Sequence, residues 1–338
     1  MKPLTRIPLV DLRGYTPLEL LFLFRRQAAA LAEAAATTLG RPSAPVARQL
    51  LRLSDRASRR WLEKADNPYL QEIGLMAEAV RVPGAYTLNI CLEWGCTSLV
   101  WGEGGGPALR RVLDWPFPRL GEYAVVAHMR GKLGDYYNVT WPGYSGILQG
   151  MAPGRFSAAI NQAPMRRHSA GLIGDWLFGR FRVKWKPALP PSHLLRRVFE
   201  TARDYTAAKT MLSMTPIAVP AIFVLAGTRA GEGCVIERSE DAYAIRELSG
   251  GRVCAANQFD SSLNESGYGW RPRPIDSPGR YAAAQALPRE VSGFSWFAPP
   301  IANANSRLAI AANAAARSLA VLGTEGIEPV TEVFELPA

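Results

Sequence analysis

The sequence predicts a layered α+β domain, and three observations carry that prediction. Residues up to about 90 are rich in alanine, leucine and arginine at helical apolar spacing. From Tyr86 onward the pattern shifts to short strands separated by glycine or proline. A helical block after the stop at Pro190-Pro191 then divides those strands into two groups, so a sheet, a helical layer and a second sheet are expected. At 338 residues, 48% hydrophobic and 20% charged, the chain is long enough for a substantial core and has the composition of an ordinary soluble globular protein.

In the first region, apolar spacing over residues 18–39, 46–62 and 69–80 predicts three amphipathic helices, broken at Gly40-Arg41-Pro42 and Asn67-Pro68. The stretch Cys96-Thr97-Ser98-Leu99-Val100-Trp101 then turns at Gly104-Gly105-Gly106 and returns as Leu109-Arg110-Arg111-Val112-Leu113-Asp114-Trp115, a β-hairpin. Strands over residues 123–128, 137–141, 146–150 and 155–161 read as one antiparallel sheet. Ser192 suits the N-cap of a helix over residues 193–212. Strands return over 221–226, 234–238, 243–248 and 252–258.

The net charge of +10 comes largely from arginine, concentrated in Arg48, Arg52, Arg56, Arg59 and Arg60 with Lys64. At helical spacing these form a solvated face that would also attract an anionic membrane surface. No zinc-finger, RNA-recognition or basic-zipper pattern accompanies them, so no nucleic-acid partner is expected. The apolar run Leu18-Glu19-Leu20-Leu21-Phe22-Leu23-Phe24 is far short of the roughly 20 residues a bilayer span needs, and it suits peripheral contact with a membrane surface instead. Residues 1–17 carry charges and prolines without a continuous apolar core, so a secretory signal is not expected and the cytoplasm is the expected location.

Several chemistries drop out. The four cysteines, Cys91, Cys96, Cys234 and Cys254, contain no Cys-x-x-Cys pair, so neither a disulfide framework nor a metal site is expected, and no cofactor. Three of the four read as small buried hydrophobes. His128, His168 and His193 fall in no zinc-protease pattern and give a histidine-based triad little material. The turn Gly102-Glu103-Gly104-Gly105-Gly106 precedes a strand and lacks a following Lys-Ser/Thr, so it is a hairpin turn rather than a phosphate loop.

What remains is the thiol at the head of the hairpin. A cut before Cys96 would give that residue a nucleophile and a free α-amine together. An α-amine, with a reference pKa of about 7.7 to 8, takes and returns a proton near neutrality without a histidine. Arg111 and Asp114, three apart on the return strand, would both reach Cys96 given an irregularity at the strand end. Arg111 would then stabilise the thiolate and lower the thiol below its reference of about 8.5, and Asp114 would hold the new amine. Gly95 has no side chain to obstruct attack of the Cys96 sulfur on its carbonyl. The bland alternatives are that the cysteine is packing and the Arg/Asp pair a surface ion pair.

At these residues the sequence resembles the acid ceramidase and N-acylethanolamine acid amidase family, N-terminal nucleophile hydrolases related to penicillin V acylase and bile salt hydrolase. The resemblance runs from about Tyr69 to Ala284. It rests on Tyr69-Leu70-Gln71-Glu72-Ile73, Cys96-Thr97-Ser98-Leu99-Val100, Gly143-Tyr144-Ser145-Gly146-Ile147-Leu148 and Pro153-Gly154-Arg155-Phe156-Ser157. It continues through Gly231-Glu232-Gly233-Cys234-Val235-Ile236, Ala256-Asn257-Gln258-Phe259-Asp260 and the stretch from Asp276 to Arg280.

The resemblance implies a four-layer αββα fold and self-cleavage before Cys96, giving a helical segment of residues 1–95 and a catalytic domain of residues 96–338. It assigns the nucleophile to Cys96, positioning of thiol and amine to Arg111 and Asp114, oxyanion contacts to Asn257 and Asn161, and a second site arginine to Arg280. The sequence departs from the family pattern at Arg110, Gln162 and Tyr281, which bears on substrate choice and pH optimum. The implied reaction is hydrolysis of a linear amide of an apolar acyl group, as in an N-acylethanolamine or ceramide-like lipid, through a thioester. Acyl transfer to an amine, a penicillin or bile-salt type of acylase, and a non-catalytic lipid-binding relative stay open. The aromatics Trp115, Phe117, Tyr136, Tyr137, Trp141 and Tyr144 crowd the strands around the site and suit an apolar acyl group, or serve as core.

Overall fold

The computed structural model describes residues 3–39, 44–81, 83–90, 95–103, 105–168, 171, 174–175, 187–265, 269–271, 276–288 and 291–336. Cys91, the break at Gly40-Arg41-Pro42 and Gly104 of the hairpin turn lie outside these residues. The N-terminal part comprises a short strand β1 (Leu9–Asp11) and helices α1 (Leu18–Leu23), α2 (Arg25–Leu39), α3 (Ala44–Lys64), α4 (Leu70–Val80) and α5 (Ala85–Ile90). The helix expected over 18–39 is therefore two helices, interrupted at Phe24, where the backbone leaves the helical region. The strand pattern expected from Tyr86 is overturned by α5, whose Thr87 bonds Asp55 and Ser54 of α3 through its hydroxyl and backbone N–H. Tertiary pairing of this kind overrides the weak helix preference of Thr.

Hairpin strands β2 (Gly95–Glu103) and β3 (Gly106–Asp114) pair in unbroken antiparallel register from Gly95 opposite Asp114 to Glu103 opposite Gly106. The turn needs glycine, since Gly106 has φ +101 and an added Cβ would lie 2.8 Å from Ala315 Cβ. There follow β4 (Val125–Gly131), β5 (Gly134–Thr140), β6 (Gln149–Ala152), β7 (Phe156–Gln162) and β8 (Met165–Arg166). Helices α6 (Pro191–Thr201) and α7 (Tyr205–Met214) replace the single helix expected over 193–212. Pro190 rather than Ser192 occupies the N-cap position of α6, and Asp204 interrupts the block by capping α7 through the Ala207 N–H.

The chain continues through β9 (Ala221–Ala226), β10 (Gly233–Arg238), β11 (Tyr243–Glu247), β12 (Arg252–Ala255), β13 (Trp270–Arg271), α8 (Ser277–Ala286), β14 (Ser306–Asn313), β15 (Ser318–Glu325), β16 (Glu328–Pro329) and β17 (Phe334–Glu335). An eight-stranded sheet has the order β1-β4-β5-β6-β7-β9-β10-β11, and a seven-stranded sheet β12-β2-β3-β14-β15-β16 with β17 on β15. The two strand groups expected to form separate sheets are thus redistributed: β4 to β7 and β9 to β11 share one sheet, while β12 joins the hairpin in the other. The sequence reading placed no strands at β14 and β15, which sit in the middle of the second sheet.

Four layers result. The sheets face each other through residues such as Val100 and Leu109 on one side and Ala159, Ile222, Val224 and Val235 on the other. Helices α6 and α7 cover the outer face of the eight-stranded sheet, and α8 covers β12 and β2 of the seven-stranded sheet. The side-chain alternation of β2 and β3 serves this stacking directly. Leu99 and Val112 point out to Ala284 of α8, while Cys96, Val100 and Leu113 point inward.

The N-terminal part is tied to this sandwich at both ends. Strand β1 pairs in parallel with β4, and Thr5 bonds Val330. At α6, Arg196 forms a bidentate pair with Glu72 of α4 at 2.7 and 3.0 Å, bonds Glu200 at 2.9 Å, and lies 4.0 Å from the Tyr69 ring centroid. Beside it the Asn67 side-chain amide donates to Nδ1 of the buried His193, whose imidazole burial pushes down to about 3. Among the described residues, no helix is long and apolar enough to cross a membrane.

Candidate active site

Cys96 is the second residue of β2 and is fully buried. Because it is paired with Leu113, its side chain lies on the inter-sheet face with Arg111, two residues along β3. Arg111 Nη2 reaches the thiol sulfur at 3.0 Å and also donates to the Ile160 carbonyl of β7 at 2.9 Å, which locks the guanidinium in place. Among the described residues its Nε and Nη1 are buried without a hydrogen-bond partner.

The backbone N–H of Cys96 donates to Asn257 Oδ1 at 2.9 Å. Asn257 follows β12 and is itself fixed three ways: its N–H on Ser277 Oγ at 2.8 Å, its Nδ2 on the Gln162 carbonyl at 2.8 Å, and its Oδ1 under Arg280 Nη2 at 2.7 Å. Arg280 stands one turn into α8 and also donates through Nη1 to the Cys96 carbonyl and to Thr97 Oγ1. The nitrogen and carbonyl of Cys96 are therefore both held by side chains.

Asp114 reaches the cluster from the other face. Parity on β3 sets it opposite Arg111, toward α8, where its Oδ2 lies 3.6 Å from Arg280 Nη1 and its Oδ1 accepts from Ser306 Oγ at 2.7 Å. The expected irregularity that would turn both Arg111 and Asp114 onto Cys96 is absent from β3, whose pairing with β2 is regular. The register shift is instead in β14, between Ser306 and Leu308.

Burial sets the electrostatics. It pushes the Cys96 thiol up, a rise that Arg111 opposes without overcoming and that Asp114 reinforces. The expected lowering of the thiol by Arg111 is corrected accordingly: the desolvation of a fully enclosed sulfur is the larger effect. Burial raises Asp114 also, against Arg280, Ser306, Asn303 and Arg111.

The side-chain bonds of Asn161 run to residues other than Cys96 itself. Its Nδ2 donates to the carbonyls of Ala255 and Ala256 at 3.2 and 3.1 Å, and its Oδ1 accepts from Ser98 Oγ at 2.6 Å. Those bonds splice β7 to β2, to the end of β12 and to the residue that follows it. Ser98, Thr97, Ser277 and Ser306 were missed by the sequence reading. Ser98 and Thr97 had a signal in their place beside Cys96, whereas Ser277 and Ser306 are brought in only by the fold.

An apolar cavity of about 90 Å³ lies between the N-terminal helices on one side and the strands' flanking loops on the other. Its lining includes Leu31, Met76 and Leu88 from the helices and Trp115, Trp141 and Tyr144 from the sheet side. Trp115 directly follows Asp114, and these aromatics belong to the same core cluster as Cys96. Of the aromatics singled out from sequence, Trp115, Phe117, Trp141 and Tyr144 line the cavity, whereas Tyr136 stacks on Phe199 and Tyr137 on His128.

No family model matches the chain. Acid ceramidase of Heterocephalus glaber is 37% identical over 111 residues, covering 32% of this chain and 27% of that protein. Acid ceramidase of Homo sapiens is 35% identical over 129 residues, covering 36% and 30%. The matched region thus spans less than a third of those relatives' own length. Among solved structures, a Caenorhabditis elegans N-acylethanolamine-hydrolyzing acid amidase ortholog superposes with a TM-score of 0.52 at 22% identity, over 72% of this chain and 100% of that one. The chain has the N-terminal nucleophile hydrolase fold.

In that N-terminal nucleophile hydrolase fold the two facing sheets are the inner layers, and α6 with α7, and α8, are the outer ones. Cys96 at the start of an inner strand lies where both sheets and the α8 layer meet. Of the residues expected at the site, Arg111 meets the sulfur, Asn257 and Arg280 meet the Cys96 backbone, Asp114 meets Arg280, and Asn161 serves the neighbouring strand.

Proposed function

We propose that the protein is a cysteine amidohydrolase that matures by cutting itself before Cys96 and then hydrolyses a linear amide of an apolar acyl group. The observation that carries the reading is that one buried cluster holds both the sulfur and the nitrogen of Cys96, through Arg111 and Asn257 respectively. A packing cysteine needs neither.

In maturation the Cys96 sulfur attacks the Gly95 carbonyl. The carbon–nitrogen bond between Gly95 and Cys96 breaks as the thioester forms, and the thiol proton passes to the departing nitrogen. Water then hydrolyses the thioester, leaving residues 1–95 with a carboxylate and residues 96–338 with a free α-amine on Cys96. In turnover that amine takes the thiol proton and the thiolate attacks the substrate carbonyl. The negative oxygen is stabilised by the Asn257 amide, and the amine leaving group takes the proton back; water releases the acid from the second thioester. Arg111, set by the Ile160 carbonyl, favours the charged sulfur once cleavage opens the site to water.

The acyl group is assigned to the apolar cavity between the helices and Trp115, which supports a chain-like rather than a polar acyl group. The names of the similar proteins, acid ceramidase and N-acylethanolamine-hydrolyzing acid amidase, agree with a fatty amide. Phe22 and Leu23 are exposed on α1, with Arg25 and Arg26 exposed beside them, and this edge is the proposed approach to a lipid surface. The N-terminal fragment stays as a partner of the catalytic part through β1 and the Glu72–Arg196 pair.

A panel of N-acyl amides graded in chain length tests the substrate. The wild type is expected to favour long apolar chains. Met76→Trp, which fills the cavity from α4, is expected to lower kcat/KM for long chains by about tenfold or more while sparing short ones. Equal loss for all chain lengths would place the acyl group elsewhere.

A further inference from the structure

Ser306 has no place in the reaction as derived so far, yet it is fully buried and spends its hydroxyl on Asp114. In that bond the hydroxyl donates. Ser306 Oγ accepts the Asn303 N–H at 2.9 Å, so its single proton is free to point at Asp114 Oδ1, 2.7 Å away. The loop is built for this: Ser306 N–H returns to the Asn303 carbonyl at 2.9 Å, Asn305 N–H bonds Asn303 Oδ1 at 3.0 Å, and the Asn305 carbonyl accepts Trp115 N–H at 2.7 Å.

The register of β14 slips by one residue immediately after Ser306, so that Ser306 pairs with Asp114 while Leu308 already pairs with Leu113. Arg307 is the additional residue, and it reaches the Phe117 carbonyl at 2.8 Å. A bulge at this position re-aims a side chain at the end of a strand, and here the side chain it delivers is the donor to a buried carboxylate.

We propose that Ser306 is a positioning residue for the Cys96 reaction: its hydroxyl, held by the Asn303 N–H, anchors Asp114 Oδ1 and turns Oδ2 toward Arg280 beside the Gly95–Cys96 junction. The proposal rests on the amidohydrolase reading for its link to a reaction. Arg280 from α8 faces Asp114, and Arg111 from β3, Cys96 from β2 and Arg307 from β14 lie within electrostatic reach of it, with Glu325 of β15 behind Arg307 at 3.6 Å. Burial raises the carboxyl and the Ser306 bond pulls it down, so loss of the donor leaves burial less opposed.

The test titrates Asp114 directly. In a Cys96→Ala chain, which cannot cut itself, the carbon-13 signal of the Asp114 side-chain carboxyl is followed against pH and assigned by Asp114→Asn. Adding Ser306→Ala is expected to move its midpoint up by about one pH unit, and Ser306→Thr to restore it. With Cys96 present, the acid limb of the self-cleavage rate is expected to move by the same amount. Ser306→Cys, close in shape and a weak donor, gives an intermediate shift and stands in should the alanine variant not fold. An unmoved midpoint in the folded variants overturns the proposal. A moved midpoint with no cleavage in any chain overturns the function reading and, with it, the link to a reaction.

Discussion

Replacing Asn257 by Asp is expected to slow both self-cleavage and amide hydrolysis by about a hundred- to a thousandfold, the equivalent of roughly 2.7 to 4 kcal/mol of transition-state stabilisation. The substitution keeps an oxygen acceptor for the Cys96 N–H at 2.9 Å and for Arg280 at 2.7 Å. What it removes is the NH2, which donates to the Gln162 carbonyl and in the proposed reaction is assigned to the negative oxygen. Single-turnover cleavage followed by mass, and kcat/KM on an N-acyl amide, read the two steps separately. Rates near wild type would show that Asn257 acts only as an acceptor that orients the Cys96 nitrogen. Asn257→Ala, which removes both functions, is expected to lose at least as much and so bounds the acceptor's share.

Glu72→Ala is expected to lower the unfolding free energy by about 3 kcal/mol, at the lower end of the roughly 3 to 5 kcal/mol for removing one partner of a buried ion pair. The lower end applies because Arg196 keeps Glu200 at 2.9 Å and the Ser145 carbonyl at 2.8 Å. Urea unfolding of the Cys96→Ala chain measures it without cleavage intervening. In the cut protein the same variant is expected to release the N-terminal fragment more readily, since α4 loses its charged tie to α6. Acid acts on the same junction. His193 is held down to about 3 from its ordinary 6.5, so the stability it contributes is full above about 6.5 and is withdrawn as the pH falls toward 3. A Glu72→Ala loss below about 1 kcal/mol would mean that packing of Tyr69 and Ile73 holds the helices without the pair.

The parts of this architecture that were legible in the sequence are those set by local signals. The β2–β3 hairpin follows from alternation about a glycine turn, and β9 lies where its apolar run predicts. Cys96 and Arg111 stand out on the hairpin itself, whereas Asn257 and Arg280 were reached through the family resemblance, because nothing in the spacing of 161 residues between Cys96 and Asn257 indicates contact. Strands β14 and β15 escaped because Leu308-Ala309-Ile310-Ala311-Ala312 and the alanines that follow read as helix formers, and only burial between β3 and β17 makes them strands. The face of Asp114 was misjudged for a geometric reason: three residues along a regular strand point opposite ways, so Arg111 and Asp114 serve different sides of Cys96. The thiol's upward shift was hidden because sequence shows the neighbouring arginine and not the desolvation.

Intact mass and N-terminal determination on purified protein, wild type beside Cys96→Ala after incubation from pH 4.5 to 8, test the central claim most directly. The expected result is two chains in the wild type, the larger beginning at Cys96, and one whole chain in the variant. A wild-type chain that stays whole across that range, or one cut equally in both proteins, would contradict the self-activating nucleophile.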